Sequence, residues 1–383
     1  MMRFIFASDS FKGSLSSNKA NETLERAAKD VFGQCACKKV EIADGGEGTL
    51  EAVLGCDPSY EKIWQTVAGP LGEPLEAYYL RKGTTAVVEM AQASGITLVK
   101  EEERNPLYTT TEGTGELIRH SLKNGCKDIY VAIGGSATND GGLGAMMALG
   151  YRFLDAEGQP LAGIGKSLRY VNKIDDSNVV EELREASFTV MCDVTNPLTG
   201  PKGATHVFGP QKGAVGEILT KLEDGMVCYQ TVLEEYLGKK IGEVKGLGAA
   251  GGLGAALYVF MNAKMKSGID VLLDICGFEN LLEDTDFVVT GEGKTDFQSA
   301  YGKVIYGIAK RCKAKGKPVF VISGALDGDL DALYDIGVAG MASTVCKIMD
   351  INDAMEHAEE YLYNAAKRVF CTIKAVKSYL TEE

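Results

Sequence analysis

Apolar positions along this chain fall first in short buried-type runs alternating with helical stripes, then in hairpin-like pairs, then in the first rhythm again. Residues 3–7 read as a short strand and 8–14 as the loop that follows it. The spacing of Ala20, Leu24, Ala27, Ala28 and Val31 predicts a helix over 17–32, closed by Gly33. A second strand is expected over 39–43, after which a glycine turn at Asp44 opens a helix running to Leu54. From about residue 57 the pattern changes: 60–68, 75–81 and 86–90 alternate or run apolar, separated by Gly69-Pro70-Leu71-Gly72 and by Lys82-Gly83, which is hairpin chemistry. A helix is expected to open at Gly113-Thr114-Gly115, with buried strands over 128–133 and 186–194. Strand–helix alternation returns near Asp284, with strands expected at 287–290, 318–322 and 338–345 and a helix over 305–312.

Neither end alone carries enough strands for a stable parallel sheet, but together they supply about five. The expected fold is therefore α/β with two α/β domains. A discontinuous, doubly wound, Rossmann-like outer domain (1–58 and 285–383) receives a second α/β domain (59–284) as an insertion, with a ligand crevice expected between the two.

A length of 383 residues suits two domains, and 45% apolar with 24% charged residues excludes wholesale disorder. No apolar run approaches the length of a membrane span, and the start of the chain lacks a signal-peptide core, so a cytoplasmic protein is expected. The net charge of -13 argues against nucleic acid or an anionic membrane as partner. Ten cysteines lie scattered without any C-x-x-C, and three histidines leave little for a zinc cluster, so the cysteines read as buried thiols in a reducing compartment.

Glycine is the anomaly. The chain holds 46, or about 12% against a usual ~7%. They cluster after strand-like runs, in Asp44-Gly45-Gly46-Glu47-Gly48, in residues 134–142 and in Gly291-Glu292-Gly293-Lys294-Thr295-Asp296. Such turns let backbone N–H groups approach an anion, which points to a phosphate-bearing ligand. Asp9, Asp44, Glu47, Asp140, Asp193, Glu292 and Asp296 all follow strands, with Lys12, Lys294 and Lys303 in similar loops. Any one carboxylate reads as a helix cap; the set fits a metal–phosphate site. In Cys192-Asp193-Val194-Thr195-Asn196-Pro197-Leu198 the spacing of Asp and Asn suits either a shared metal or hydroxyl, or an Asx turn before proline. The 109–116 segment, rich in threonine and glycine, suits an anion or an ordinary helix start, and the 208–214 turn with Gln211 and Lys212 reads from spacing alone as a surface loop.

Two near-misses are set aside. Gly165-Lys166-Ser167 and Gly293-Lys294-Thr295 end like a P-loop, but Pro160 and Val288 stand where its first glycine belongs. Gly246-Leu247-Gly248-Ala249-Ala250-Gly251 matches G-x-G-x-x-G after a stretch too polar for a buried strand, so a glycine-rich helix start packed on a neighbour is expected.

With these segments in view, the sequence resembles the bacterial glycerate kinase family, the type that includes the glycerate 2-kinases. The resemblance is carried by residues 8–13, 43–49, 69–72, 134–142, 192–198, 208–214 and 248–254, and by 291–296 leading to Gln298-Ser299 and Gly302-Lys303. It runs in order from Met2 to about Gly340, with a mild departure at Lys294-Thr295. The resemblance implies an ATP-dependent kinase acting on glycerate, and it moves the Gln211 loop toward the cleft. Under it, Lys12, Lys303 and the glycine turn (Gly134, Gly135, Ser136, Asn139, Asp140, Gly141) are expected to hold phosphates or the glycerate carboxylate. Asp193 is expected to act as base or hydroxyl anchor, positioned by Asn196, with Asp44, Glu292 and Asp296 as magnesium candidates. The expected product is 2-phosphoglycerate; 3-phosphorylation, a nicotinamide-dependent dehydrogenase using 246–251, and an inactive ligand-binding regulator are the alternatives.

Overall fold

The structure is a computed structural model describing the chain except residues 12, 44, 301, 302 and 381–383. The chain folds as two units, one comprising Met1–Ala43, Glu51–Pro58 and Ile269–Glu383, the other Asp44–Leu50 and Ser59–Gly268.

The first unit is built on a five-stranded, all-parallel sheet in the order Val338–Ser343, Val319–Ser323, Phe287–Thr290, Met2–Phe6, Cys35–Lys39. Strands from the two ends of the chain thus interleave, with Phe4 opposite Phe287 and Met2 opposite Cys35. Sheet faces buried on both sides need apolar residues at every strand position. Phe4, Phe6, Val289 and Ile322 pack on one face under the Ser17–Phe32 and Ala358–Leu380 helices, with Leu24, Ala28, Leu362 and Phe370. Val321, Ile305, Ala309 and Leu333 form a cluster on another side of the sheet. The Ser17–Phe32 helix has the expected apolar stripe; Ser16 caps its start by accepting from the Lys19 N–H, and Gly33 at φ 71° ends it.

Strand order reverses between Met2–Phe6 and Phe287–Thr290, which is where open α/β sheets place ligands. The loops leaving these strands are joined there, the Asp9 N–H donating to the Gly291 carbonyl at 2.8 Å.

Three expectations need correction. The second strand lies at Cys35–Lys39 and not at 39–43, because the polar Cys-Ala-Cys-Lys-Lys run sits at the sheet edge, half exposed, while Val40 only continues the pairing through a bond to the Phe6 carbonyl. The boundary assigned at 284/285 falls at 268/269. Arg311 explains this: its guanidinium, on the Val304–Ala314 helix, donates to the Asp270 carbonyl and to the Asp274 and Glu279 carboxylates, tying 270–279 to the first unit. The cysteines are not uniformly buried thiols. Cys56 and Cys276, 220 residues apart, are paired in a disulfide, only Cys126 and Cys312 are buried as free thiols, and Cys228, Cys346 and Cys371 are exposed. Among the described residues no helix is long and apolar enough to cross a membrane.

The second unit carries a six-stranded mixed sheet in the order Lys264–Lys266, Ser187–Met191, Asp128–Ala132, Thr85–Glu89, Pro74–Lys82, Glu61–Ala68. The expected hairpins are present: the last three strands are antiparallel and the first four run parallel. Its core gathers Tyr79, Val88, Ile129, Val131, Phe153 and Val190 with Tyr229, Leu253 and Leu257 from the covering helices. The carboxyl ends of its parallel strands open into the loops described next.

Candidate functional site

In the second unit, the loops that follow Asp128–Ala132 and Ser187–Met191 line a cavity of about 400 Å³. Its wall is backbone where the glycines are. The Gly134 N–H donates to the Gly45 carbonyl at 2.9 Å, and a Cβ on Gly134 would stand 2.5 Å from the Gly46 Cα. Two glycine turns therefore meet main chain to main chain, an approach no other residue permits. Gly134, Gly135, Ser136, Asp193, Gln211 and Lys212 all face this cavity, with Ile96, Met191, Cys192, Phe208 and Ala250 among its apolar lining.

Lys212 is the residue that spacing alone misplaced. It is 2% exposed, not on a surface loop, and its Nζ donates to Ser136 Oγ at 2.6 Å and to the Thr138 carbonyl at 2.7 Å. Burial pulls its pKa down to about 7, with the nearby charge of Asp140 opposing the shift. The signal in the sequence was a lysine held between Pro210 and Gly213, a turn that aims one side chain, but the burial depends on packing against a segment 76 residues away. The lowered value has a defined consequence for stability. The unfolded chain keeps this proton to about pH 10.4 while the folded chain releases it near 7. Between those values the unfolded state binds more protons, so the folded state gains stability as pH rises. Lys212→Met should melt higher than the native chain at pH 6, and the gap should narrow by pH 9 in calorimetric scans.

The glycine turn expected to bind a ligand divides in two. Gly134, Gly135 and Ser136 line the cavity; Asn139, Asp140 and Gly141 do not. Asp140 is fully buried and its carboxylate accepts from the Thr111 N–H at 2.9 Å, Thr111 Oγ1 at 2.8 Å, the Gly142 N–H at 3.1 Å and the Gly144 N–H at 3.2 Å. Burial pushes its pKa up and these hydrogen bonds pull against that. Asp140 thus organises the turn from within and contacts no ligand space. Asn139 donates to Thr205 Oγ1, and the Gly141 N–H donates to the Gly251 carbonyl at 2.9 Å. This last contact accounts for the G-x-G-x-x-G match. Ala250, Gly251 and Gly252 take φ values of 53°, 62° and 94°, and a Cβ on Gly251 would stand 2.1 Å from the Thr138 carbonyl oxygen. The glycines there serve close packing, and the Leu253–Met261 helix begins just after them.

Asp193 lies two residues past the Ser187–Met191 strand, in the cavity lining, and its Oδ1 accepts from the Gly268 N–H at 3.0 Å. Asn196 does not join it: the Asn196 amide donates to the Lys202 carbonyl at 2.8 Å, because the turn at Pro197 carries the side chain toward 200–203. Lys12 and Asp44 lie outside the described residues.

In the first unit, Glu292 and Asp296 share the loop after Phe287–Thr290, at the point where strand order reverses. Glu292 Oε1 accepts from Ser299 Oγ at 2.5 Å and Thr295 Oγ1 at 3.3 Å, and Asp296 Oδ1 accepts from the Gln298 N–H. Burial raises the Glu292 pKa first of all; Ser299, Lys303 and Thr295 lower it and the Asp296 charge adds to the rise. Lys303, exposed at the start of the Val304–Ala314 helix, supplies positive charge here, whereas Lys294 is engaged with Asp327 at 2.7 Å. Among the described residues no three His, Cys, Asp or Glu side chains come together as a metal cluster. Two carboxylates flanked by hydroxyls nevertheless suit magnesium, which takes hard oxygen donors and keeps waters and substrate oxygens for the rest of its shell.

A family model described as the glycerate kinase family matches residues 4–374. The chain belongs to the glycerate kinase family. A glycerate kinase of Bacillus subtilis (strain 168) is 44% identical over 98% of this chain and 99% of its own length. A protein of Escherichia coli (strain K12) named glycerate 2-kinase is 40% identical over 97% of this chain and 98% of its own. The fold is matched by a crystal structure described as a glycerate kinase 2 from Salmonella typhimurium LT2, with a TM-score of 0.84 and 40% identity, covering 98% of this chain and 99% of that one. The glycerate kinase match thus spans both units, and the chain is an enzyme of the phosphotransferase class.

Proposed function

We propose that this enzyme transfers the γ-phosphate of ATP to D-glycerate, at the 2-hydroxyl. The observation that carries the reading is the near end-to-end likeness to proteins named glycerate kinase, one of them a glycerate 2-kinase. The cavity agrees with it, since it sets a carboxylate (Asp193), a buried lysine (Lys212) and open backbone at Gly134 and Gly135 around a space large enough for a small hydroxy acid.

In the proposed reaction the hydroxyl oxygen of glycerate forms a bond to the γ-phosphorus while the bond from that phosphorus to the β,γ-bridging oxygen breaks, and ADP leaves. Asp193 receives the hydroxyl proton as attack proceeds. The Gly134–Ser136 turn and Lys303 would hold anionic oxygens, with Lys12 as a further candidate. Glu292 and Asp296 would hold magnesium, and bound there the ion would neutralise phosphate charge; Asp44 remains a separate magnesium candidate. A cytoplasmic setting, where ATP is supplied, belongs to the same reading.

Phosphorus NMR on a mixture of the purified chain, ATP, magnesium and D-glycerate tests it. The expected result is ADP together with 2-phosphoglycerate. A 3-phosphoglycerate signal overturns the choice of hydroxyl, and no phosphorylation, with NAD-linked oxidation instead, overturns the reading altogether.

A further inference from the structure

The Lys212 ammonium has three N–H donors, and the structure uses two of them, on Ser136 Oγ and the Thr138 carbonyl. Both acceptors are neutral. Among the described residues no carboxylate forms an ion pair with Lys212, although the side chain is nearly fully buried. A buried cation whose direct contacts are all neutral oxygens is costly, and a protein retains one where a ligand supplies a charge to meet it. Lys212 also lines the cavity, with the hydroxyl that holds it, Ser136, forming part of the same wall. Asp140 contributes from behind: it is buried and acts on Lys212 through its charge without touching it, while its own oxygens are committed to the turn. The same lining includes Asp193, which repels an anion and accepts from a hydroxyl.

We propose that Lys212 is the carboxylate anchor of the cavity, its third N–H binding the acid group of glycerate so that the substrate hydroxyl is turned toward Asp193. This inference rests on the proposed glycerate kinase activity and names the group that sets substrate orientation. It also gives the cavity its selectivity: a 2-hydroxy acid satisfies both ends, whereas its neutral amide leaves the lysine uncompensated. Ser136 acts as a positioning residue, since its hydroxyl holds Nζ.

The test compares D-glycerate with glyceramide, the neutral amide of the same acid, as phosphate acceptors for the native chain, Lys212→Met and Ser136→Ala. The native chain should prefer glycerate in kcat/KM. Lys212→Met should raise the KM for glycerate roughly 10–100-fold, the size expected for a charge-assisted hydrogen bond. It should leave the KM for ATP within about threefold and erase the preference over glyceramide. Ser136→Ala should do the same in smaller measure, and because it removes one hydroxyl it remains informative if Lys212→Met fails to fold. A purely structural lysine would lower activity on both acceptors equally, and that result overturns the proposal. So does a KM change confined to ATP, which would place a nucleotide phosphate on Lys212, or a Ser136→Ala preference equal to that of the native chain. A native chain that phosphorylates no glycerate overturns the functional reading itself, a separate outcome visible before any variant is made.

Discussion

Asp193→Asn should lower kcat for glycerate phosphorylation by roughly 10²–10⁴-fold while the fold is kept. The substitution preserves size, and the asparagine carbonyl can still accept from the Gly268 N–H that Oδ1 binds in the structure. What it removes is a group able to take the hydroxyl proton. Asp193 follows a strand whose Val190 and Met191 are buried, so the carboxylate emerges into the cavity where α/β sheets place their chemistry. If its role were only to cap the backbone at Gly268, the variant would lose about 1 kcal/mol of stability or less and keep its turnover. Steady-state kinetics beside a thermal melt separates the two. Near-native kcat with a lowered melting temperature would move the base elsewhere.

Gly134→Ala should cost both stability and turnover, because its methyl would force apart two glycine turns of the cavity wall. The added carbon would meet the Gly46 Cα at 2.5 Å and the Gly45 carbonyl oxygen at 3.1 Å. Both are main-chain atoms, so no rotamer change relieves the clash, and one glycine turn must move off the other. Overpacking of this kind costs about 1–3 kcal/mol or more. A shift of order 1 Å in the wall that carries Ser136 should cut kcat/KM by about 10²-fold. Gly328→Ala is the control, because Gly328 has φ 76° but nothing within 4 Å. It should cost only about 1–2 kcal/mol of backbone strain and leave kinetics unchanged. Equal losses in the two variants would show that the contact between the glycine turns is dispensable.

Local pattern made much of this fold readable. The 17–32 helix announces itself by an unbroken apolar stripe, and the shared sheet follows from the shortage of strands at either end taken alone. Where a residue's environment is assembled from distant segments, pattern fails for physical reasons. The Cys35–Lys39 strand is an edge strand with polar residues, so alternation at 40–43 was the louder but misleading signal. Asp140 carries the same local sequence context whether it faces a ligand or folds inward; only the donors at Thr111, Gly142 and Gly144 decide. Lys212 looks like any turn lysine until Ser136 and Thr138 are brought against it. The Cys56–Cys276 pair spans 220 residues, beyond any reading of spacing. Asp193 was legible because strand end and carboxylate are adjacent in sequence, while Asn196 was assigned by proximity and is claimed by Lys202.

The interleaved parallel sheet has a consequence for how the chain is made. Met2–Phe6 has Cys35–Lys39 on one side and Phe287–Thr290 on the other. At ribosomal speeds of ~5–20 residues per second, the second of these partners emerges roughly 15–55 s after the first strand. Throughout that time the opening strand, with Phe4 and Phe6 meant for burial, presents an unpaired edge of the kind that recruits foreign strands. The second unit, complete once Gly268 has been synthesised, is free to fold first. Phe4 and Phe6 are therefore secured late, and nascent chains halted before Phe287 leave that strand edge open.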